Sequence, residues 1–351
     1  MSVRDRIGRD LLAAVELGAA ADELGAEISR VVASVVPHDA AALIATTPTA
    51  GLGIASFTFW QGIEPDVGRA LVRRFYAGND PHPPRTLARR ALPVGILHAA
   101  RGGARTPEGV SPRSSLAALG VGSELQLLIR DARGVWGMLG LLRSQGAGLF
   151  SEADARRAAE LAPLLVAFLR GYVTRAPLVP TAPLPAPGVT IVGADGAVRA
   201  GTPQGRAWSE QLRGAVRDPA WVAEAFLTGL ATYARRQAHD PLTGPPTLIG
   251  PAAAYGRWIV CQAQPLDGEA RGDLAVVVHA ATGEHMLPSF CDWYGITARE
   301  REVVRHLSQG TAPQRVARYL DVSRNTVNDH IRAVFRKTGA GGRAELLAAI
   351  T

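Results

Sequence analysis

The sequence predicts two α+β units followed by an all-α segment. Three observations lead there. Strand-length apolar runs mix with amphipathic helical stretches over residues 9–175, and again over 188–282. A proline-alternating run, Pro177 to Pro187 (PLVPTAPLPAP), divides the two and reads as an extended linker over 176–187. Residues 287–351 then carry short helix patterns with a tight turn before the last long one, the layout of a helix-turn-helix.

In chain order, residues 9–36 read as a helix, with Leu24, Ile28, Val31, Val32 and Val35 on one face, ended by Pro37. Ala40–Ala45 and Ile54–Trp60 follow as strands around a turn-rich stretch, and Asp66–Tyr76 as a helix. Residues 78–115 are crowded with Pro, Gly and Arg and give no clear pattern. Ser123–Arg130 and Val135–Arg143 form a hairpin about Asp131–Gly134. Ser151 caps a helix that runs to 173, with acids in its first turn and Leu161, Leu164, Leu165, Phe168 and Leu169 along one side.

After the linker come strands at Gly188–Val192 and Val198–Ala200. Thr202 and Pro203 supply an N-cap and an N1 proline for a helix to Leu212. A second helix covers 219–238, and strands cover 247–249, 256–264 and 273–280. Trp258, Cys261 and His279 fall within those strands and read as sheet residues, not ligands.

Composition narrows the function. The chain has 351 residues, 47% of them hydrophobic, and a net charge of +7 carried almost wholly by arginine. Cys261 and Cys291 are isolated thiols, which fits a reducing cytoplasm. The N-terminus is amphipathic and the longest apolar run, Leu161 to Leu169, is too short for a bilayer, so no membrane partner is expected. There is no P-loop, no nucleophile with a base in context and no ligand set for a metal, so an enzyme is not expected and no cofactor is evident. No acidic receiver pocket precedes the last segment.

That segment carries the chemistry. Thr297 and Glu300 form a capping box for a helix to Gln309, closed by Gly310. Pro313–Leu320 is the second helix, and Ser323 caps the third. On the third, Val327, Ile331 and Val334 share the inner face. Asn325, Asp329, Arg332 and Arg336 lie opposite, with Asn328 at the edge. Arg332 can fork to guanine, and Asn325 or Asn328 can pair with adenine. Arg324, Thr326 and Lys337 suit phosphate oxygens. Asp329 can accept from cytosine or hold Arg332 by an i,i+3 pair; the pair is the favoured reading. Residues 297–343 hold nine Arg and one Lys against four acids, so the positive charge concentrates where a polyanion would sit.

Ile296-Thr-Ala-Arg-Glu-Arg-Glu-Val303, Gly310, Val316-Ala317, Leu320, Val322-Ser323, Thr326-Val327, His330, Phe335-Arg-Lys-Thr-Gly339 and Arg343-Ala-Glu-Leu346 resemble the LuxR-type helix-turn-helix. The resemblance implies a four-helix domain whose third helix enters the major groove and whose last helix, Arg343–Ile350, helps it dimerise on DNA. Two places depart from the family pattern: Ala312-Pro-Gln-Arg315 stands where Ser-Asn-Lys-Glu is common, and Asn328 where lysine is usual.

Residues 9–175, with the hairpin and the Gly148-Leu-Phe-Ser-Glu-Ala-Asp154 helix start, resemble a GAF domain; residues 188–282 resemble a PAS domain. These resemblances imply α+β sensors. The first could take an unidentified small-molecule ligand or hold a side-chain-filled pocket; both readings stand. The expected function is a cytoplasmic DNA-binding transcriptional regulator. Its expected partners are double-stranded DNA, a second copy of itself through the helices of 9–36 and 151–173, and RNA polymerase. The alternative is a signalling scaffold or nucleotide-handling sensor with a degenerate helix-turn-helix.

Overall fold

A computed structural model describes residues 8–11, 13, 14, 21–50, 54–99, 112–214, 219–240, 244–266 and 272–350. The first unit contains α1 (Ala21–Ala33), β1 (Ala40–Ala45), β2 (Phe57–Gln61), α2 (Pro65–Ala77), α3 (Pro84–Leu87), β3 (Val94–His98), α4 (Pro112–Ala118), β4 (Val121–Asp131), β5 (Gly134–Ser144), α5 (Glu152–Ala159) and α6 (Ala162–Thr174). Its five strands form an antiparallel sheet in the order β2-β1-β5-β4-β3.

The second unit contains β6 (Gly188–Val192), β7 (Val198–Gly201), α7 (Pro203–Gly214), α8 (Ala220–Gln237), β8 (Thr247–Gly250), α9 (Ala252–Tyr255), β9 (Ile259–Pro265) and β10 (Leu274–Ala280). Its antiparallel sheet runs β7-β6-β10-β9-β8. From β1 to β5 and from β6 to β10 the described elements follow one order, ββααβαββ, with one strand arrangement. The chain thus repeats a topology that its sequence does not display as a residue repeat.

Several local expectations meet their physical cause. Ser151 accepts from the Asp154 N–H at 3.2 Å while Asp154 Oδ2 accepts from the Ser151 N–H at 2.9 Å, a reciprocal cap. Thr202 Oγ1 accepts from the Gly205 N–H at 3.0 Å and starts α7. The expected helix from 151 to 173 is interrupted, because Pro163 has no N–H to continue it; α5 ends and α6 begins there. Strand β3, helix α3 and the start of α4 lie within residues 78–115, where prolines hide the pattern. The expected helix 9–36 appears as helical residues at 8–11, 13 and 14 and as α1; residues 15–20 lie outside the described ones.

Two sequence features find packing partners within the chain. Much of the apolar stripe of the helices of 9–36 and 151–173 is turned into their own sheet. Leu24, Ile28, Val31 and Val32 of α1 are buried, with α1 packed on β1 and β2, and Leu165, Phe168 and Leu169 of α6 are buried in the same core. Each such side chain contributes roughly 1.5–3 kcal/mol to the fold. The extended proline run is also held in place. The Thr181 and Ala182 N–H groups donate to the Gly256 carbonyl at 2.8 and 3.2 Å, and Trp208 Nε1 donates to the Ala186 carbonyl at 2.9 Å, so it lies along the second unit.

The two units share a helix–helix contact between α2 and α8. Glycines make it close: a Cβ on Gly68 would stand 2.1 Å from the Trp221 ring, and one on Gly229 would stand 2.4 Å from Tyr76. Trp221 meets Trp60 edge-on at 5.0 Å. Across the same junction Tyr255 Oη donates to the Ser56 carbonyl at 3.1 Å.

An unanticipated helix, α10 (Gly283–Trp293), follows β10. Pro288 within it and the absence of a side-chain cap obscure it in the sequence. Phe290, Cys291 and Trp293 are fully buried, with Trp293 between the rings of Phe57 (5.7 Å) and Trp136 (5.3 Å). Helix α10 therefore belongs to the core of the sheets although it leads directly into the last domain.

Candidate nucleic-acid interface

Four helices follow: α11 (Ala298–Ser308), α12 (Pro313–Tyr319), α13 (Arg324–Thr338) and α14 (Arg343–Ile350). The capping box at the start of α11 is present. Thr297 Oγ1 accepts from the Glu300 N–H at 3.3 Å, and Glu300 Oε2 accepts from the Thr297 N–H at 2.8 Å. Val303, Val304 and Leu307 are buried, and Gly310 ends the helix at φ 79°.

Helix α12 begins on Pro313, whose missing N–H has no partner to lose there. Its Val316 and Ala317 pack against Val303, Leu307 and Val327. The turn between α12 and α13 places Asp321 at φ 51°, a left-handed conformation that Asp tolerates better than most residues. Arg299 donates to the Leu320 carbonyl and holds the turn to α11.

Ser323 then caps α13, accepting from the Thr326 N–H at 3.0 Å, with its hydroxyl 2.9 Å from that of Thr326. The Thr326 side chain is thus part of the cap. Val327 and Val334 are buried and Ile331 half-buried, which seats the helix. Opposite them, Arg324, Asn325, Asp329, Arg332 and Arg336 are exposed, and Asn328 is half-buried at the edge. The expected base-facing set therefore lies together on one open face.

Lys337 departs from the expected set. Its ammonium donates to Glu300 Oε2 at 2.5 Å, with the Glu300 side chain 7% exposed. Burial alone raises the Glu300 carboxyl, but the Lys337 ammonium and the Thr297 N–H outweigh it and hold the carboxyl below its ordinary value. Lys337 is occupied in fixing the end of α13 to the start of α11, not presented to a phosphate. Position 337 follows Arg336 by one residue, so a helical rotation of 100° turns it inward.

Asp329 Oδ1 accepts from Arg332 at 3.0 Å, the i,i+3 pair expected from the spacing. Both side chains are largely exposed, so the pair orients Arg332 more than it stabilises the helix. Two exposed guanidinium groups on α12, Arg315 and Arg318, join the candidate set. Their position beside the buried Val316 and Ala317 is the signal that identifies them: they must point outward on the helix that crosses the DNA backbone in this motif.

Helix α14 buries Leu346 and Ile350 against the rest of the chain, partly on α10, while Ala344, Glu345 and Ala348 stay exposed. A Cβ on Gly283, at the start of α10, would stand 2.3 Å from the Ile350 carbonyl.

Over 53 residues the chain is 42% identical to a monoamine regulon transcriptional regulator of Klebsiella aerogenes; the match covers 15% of this chain and 23% of that protein. Residues 295–349, from the residue before Ile296 through α14, match the family of bacterial regulatory proteins named for luxR, and so form a helix-turn-helix domain of that family.

Proposed function

We propose that the chain is a DNA-binding transcriptional regulator that inserts α13 into the major groove and is controlled by its two α+β units. The observation that carries the reading is the two-sided build of α13: Val327 and Val334 buried below, and Asn325, Asp329, Arg332 and Arg336 exposed above. Arg332 reads guanine and Asn325 or Asn328 adenine, while Arg324, Thr326 and Arg336 meet the backbone. Arg315 and Arg318 extend the backbone contacts.

In this reading residues 9–175 are a GAF-like sensor, residues 188–282 a PAS-like one, and the output domain, expected over 287–351, begins after α10. The shared strand order of the two sheets suits two sensors of related architecture. The regulator acts as a homodimer in the cytoplasm, with RNA polymerase as a further partner. Buried free thiols at Cys261 and Cys291 fit that compartment, and no described helix is long and apolar enough to cross a membrane.

The test is DNA affinity as a function of salt, by fluorescence anisotropy on the full chain. A regulator of this kind loses affinity steeply as salt rises, with a log–log slope of about −0.9 per phosphate contact. A scaffold with a degenerate helix-turn-helix gives no salt-sensitive retention.

A further inference from the structure

The first sheet buries an uneven group of charges beneath α2. Arg74 Nη2 donates to both oxygens of Glu124 at 2.5 and 2.6 Å, and its Nε lies 3.5 Å from Asp80 Oδ2. Gln126 Nε2 donates to Asp80 Oδ2 at 2.8 Å and to Glu124 Oε1 at 3.0 Å. The side chains of Asp80 and Glu124 are each 4% exposed, so two buried carboxylates face one guanidinium. Burial pushes the Glu124 carboxyl up in spite of Arg74, as expected where negative charge is in excess. Gln126 Oε1 is buried and has no hydrogen-bond partner.

Asp80 is the member of this group that reaches a cavity. The cavity has a volume of about 190 Å³ and lies between the segment after α2 and the end of α8. Phe75 and Pro84 give it apolar walls, and Arg85 and Asp240 stand at 4.0 Å from one another beside it. Arg236, from the second unit, lines it as well. Its Nη1 donates to the Tyr76 carbonyl at 3.1 Å, but its Nε is buried without a partner. Asp80 Oδ1 takes the His82 N–H at 2.9 Å and has room for a second donor, since a carboxylate oxygen accepts two.

We propose that this cavity is a ligand site for a small zwitterion of free amino-acid type, its ammonium on Asp80 and its carboxylate on Arg236. The charges fit that class and no simpler one. An ammonium at Asp80 neutralises the excess of the buried carboxylates, and a carboxylate in the cavity meets the positive charge of the Arg236 guanidinium that lines it. A plain amine brings no carboxylate to Arg236, and a plain acid is repelled by Asp80. Phe75 and Pro84 offer an apolar surface to the side chain of the ligand. Because Asp80 belongs to the first unit and Arg236 to the second, the ligand bridges the α2–α8 junction. The inference rests on reading those units as sensors only for its regulatory consequence; the binding itself does not.

The experiment is calorimetric titration of the full chain with the free amino acids, beside the amine and the carboxylic acid that match the best of them. Binding by at least one amino acid, weakened about tenfold or more in each single-charge analogue, is expected. Arg236→Gln should weaken it by at least the same factor. Asp80→Asn should do so too if it folds, with circular dichroism of both variants as the check. No amino acid binding below about 10 mM, or full affinity in Arg236→Gln, overturns the site. DNA affinity measured with the bound amino acid present separates the two claims: binding without any change in DNA affinity keeps the site and removes sensor control through it.

Discussion

Asp292 joins three parts of the molecule through one carboxylate. Its Oδ1 accepts from Arg301 of α11 at 2.9 Å, and its Oδ2 accepts from the Thr49 N–H, between β1 and β2, at 2.8 Å. Asp292 sits at the end of α10, so sheet, connecting helix and output domain meet there. The aromatic cluster of Trp293, Phe57 and Trp136 lies beside it. The output domain is therefore docked, and a change in the first sheet has a direct physical route to α11.

Asp292→Ala leaves the Arg301 guanidinium and the Thr49 N–H without their acceptor. A cost of about 1–2 kcal/mol is expected, at the low end because Arg301 is partly open to water. Hydrogen exchange should show faster opening at residues 296–301 and around Thr49, with the centres of both sheets unchanged. Uniform protection equal to that of the parent chain would contradict the docking role.

Lys337 and Arg336 are neighbours in sequence with opposite expected behaviour. Lys337→Met should lower stability by about 1–3 kcal/mol, because it strands the nearly buried Glu300 carboxylate, and should leave the salt slope of DNA binding unchanged. Arg336→Ala should leave stability within about 0.5 kcal/mol and reduce the slope by about one. Urea unfolding and anisotropy titrations distinguish the two.

The Glu300 carboxyl lies below its ordinary value of 4.5 in the folded chain. The sign follows from linkage: the unfolded state binds the proton more readily, so stability from this group is full above the ordinary value and is lost as pH falls through the folded one. Acid unfolding of the output domain should thus be less steep in Glu300→Gln than in the parent below about pH 4.5. Identical acid limbs would remove the assigned role.

Gly68→Ala tests the junction of the two sheets. The added Cβ falls 2.1 Å from the Trp221 ring, which is itself wedged against Trp60. Overpacking of this kind costs about 1–3 kcal/mol. The expected sign is a lowered urea midpoint with altered tryptophan fluorescence. A variant as stable as the parent with the same emission would mean that α2 and α8 are free to separate.

Asp329→Ala separates the two readings of that carboxylate. With Asp329 paired to Arg332, its removal should tighten binding overall, since a negative charge leaves the face, with any loss of preference confined to the guanine that Arg332 reads. Loss of preference at a base pair other than the one lost in Arg332→Ala would instead assign it to cytosine.

Much of the output domain was legible because its signals are local. Thr297, Glu300 and Ser323 announce helix starts by spacing alone, and the Val327–Val334 stripe fixes which side of α13 faces out. The Lys337–Glu300 contact is not legible, because its partners lie 37 residues apart, a distance that periodicity does not report. The hairpin of β4 and β5 was legible from its turn, whereas β3 was not, lying among prolines and arginines and held by its pairing with β4. Helix α10 was missed for a related reason. Its burial depends on Phe57, Trp136 and Trp258, far away in the chain, and Pro288 argues locally against a helix. The same holds for the apolar faces of α1 and α6: a stripe in the sequence shows that a face is buried, not whether a sheet or a second copy buries it.

Selection of binding sites from random duplex DNA with the purified full chain, repeated with Arg332→Ala, tests the central claim most directly. A reading α13 predicts an enriched site in the parent, and in the variant a relaxed preference at one guanine, weakened by about 1–3 kcal/mol. No enriched sequence in the parent, or the same site with undiminished preference in Arg332→Ala, would contradict it.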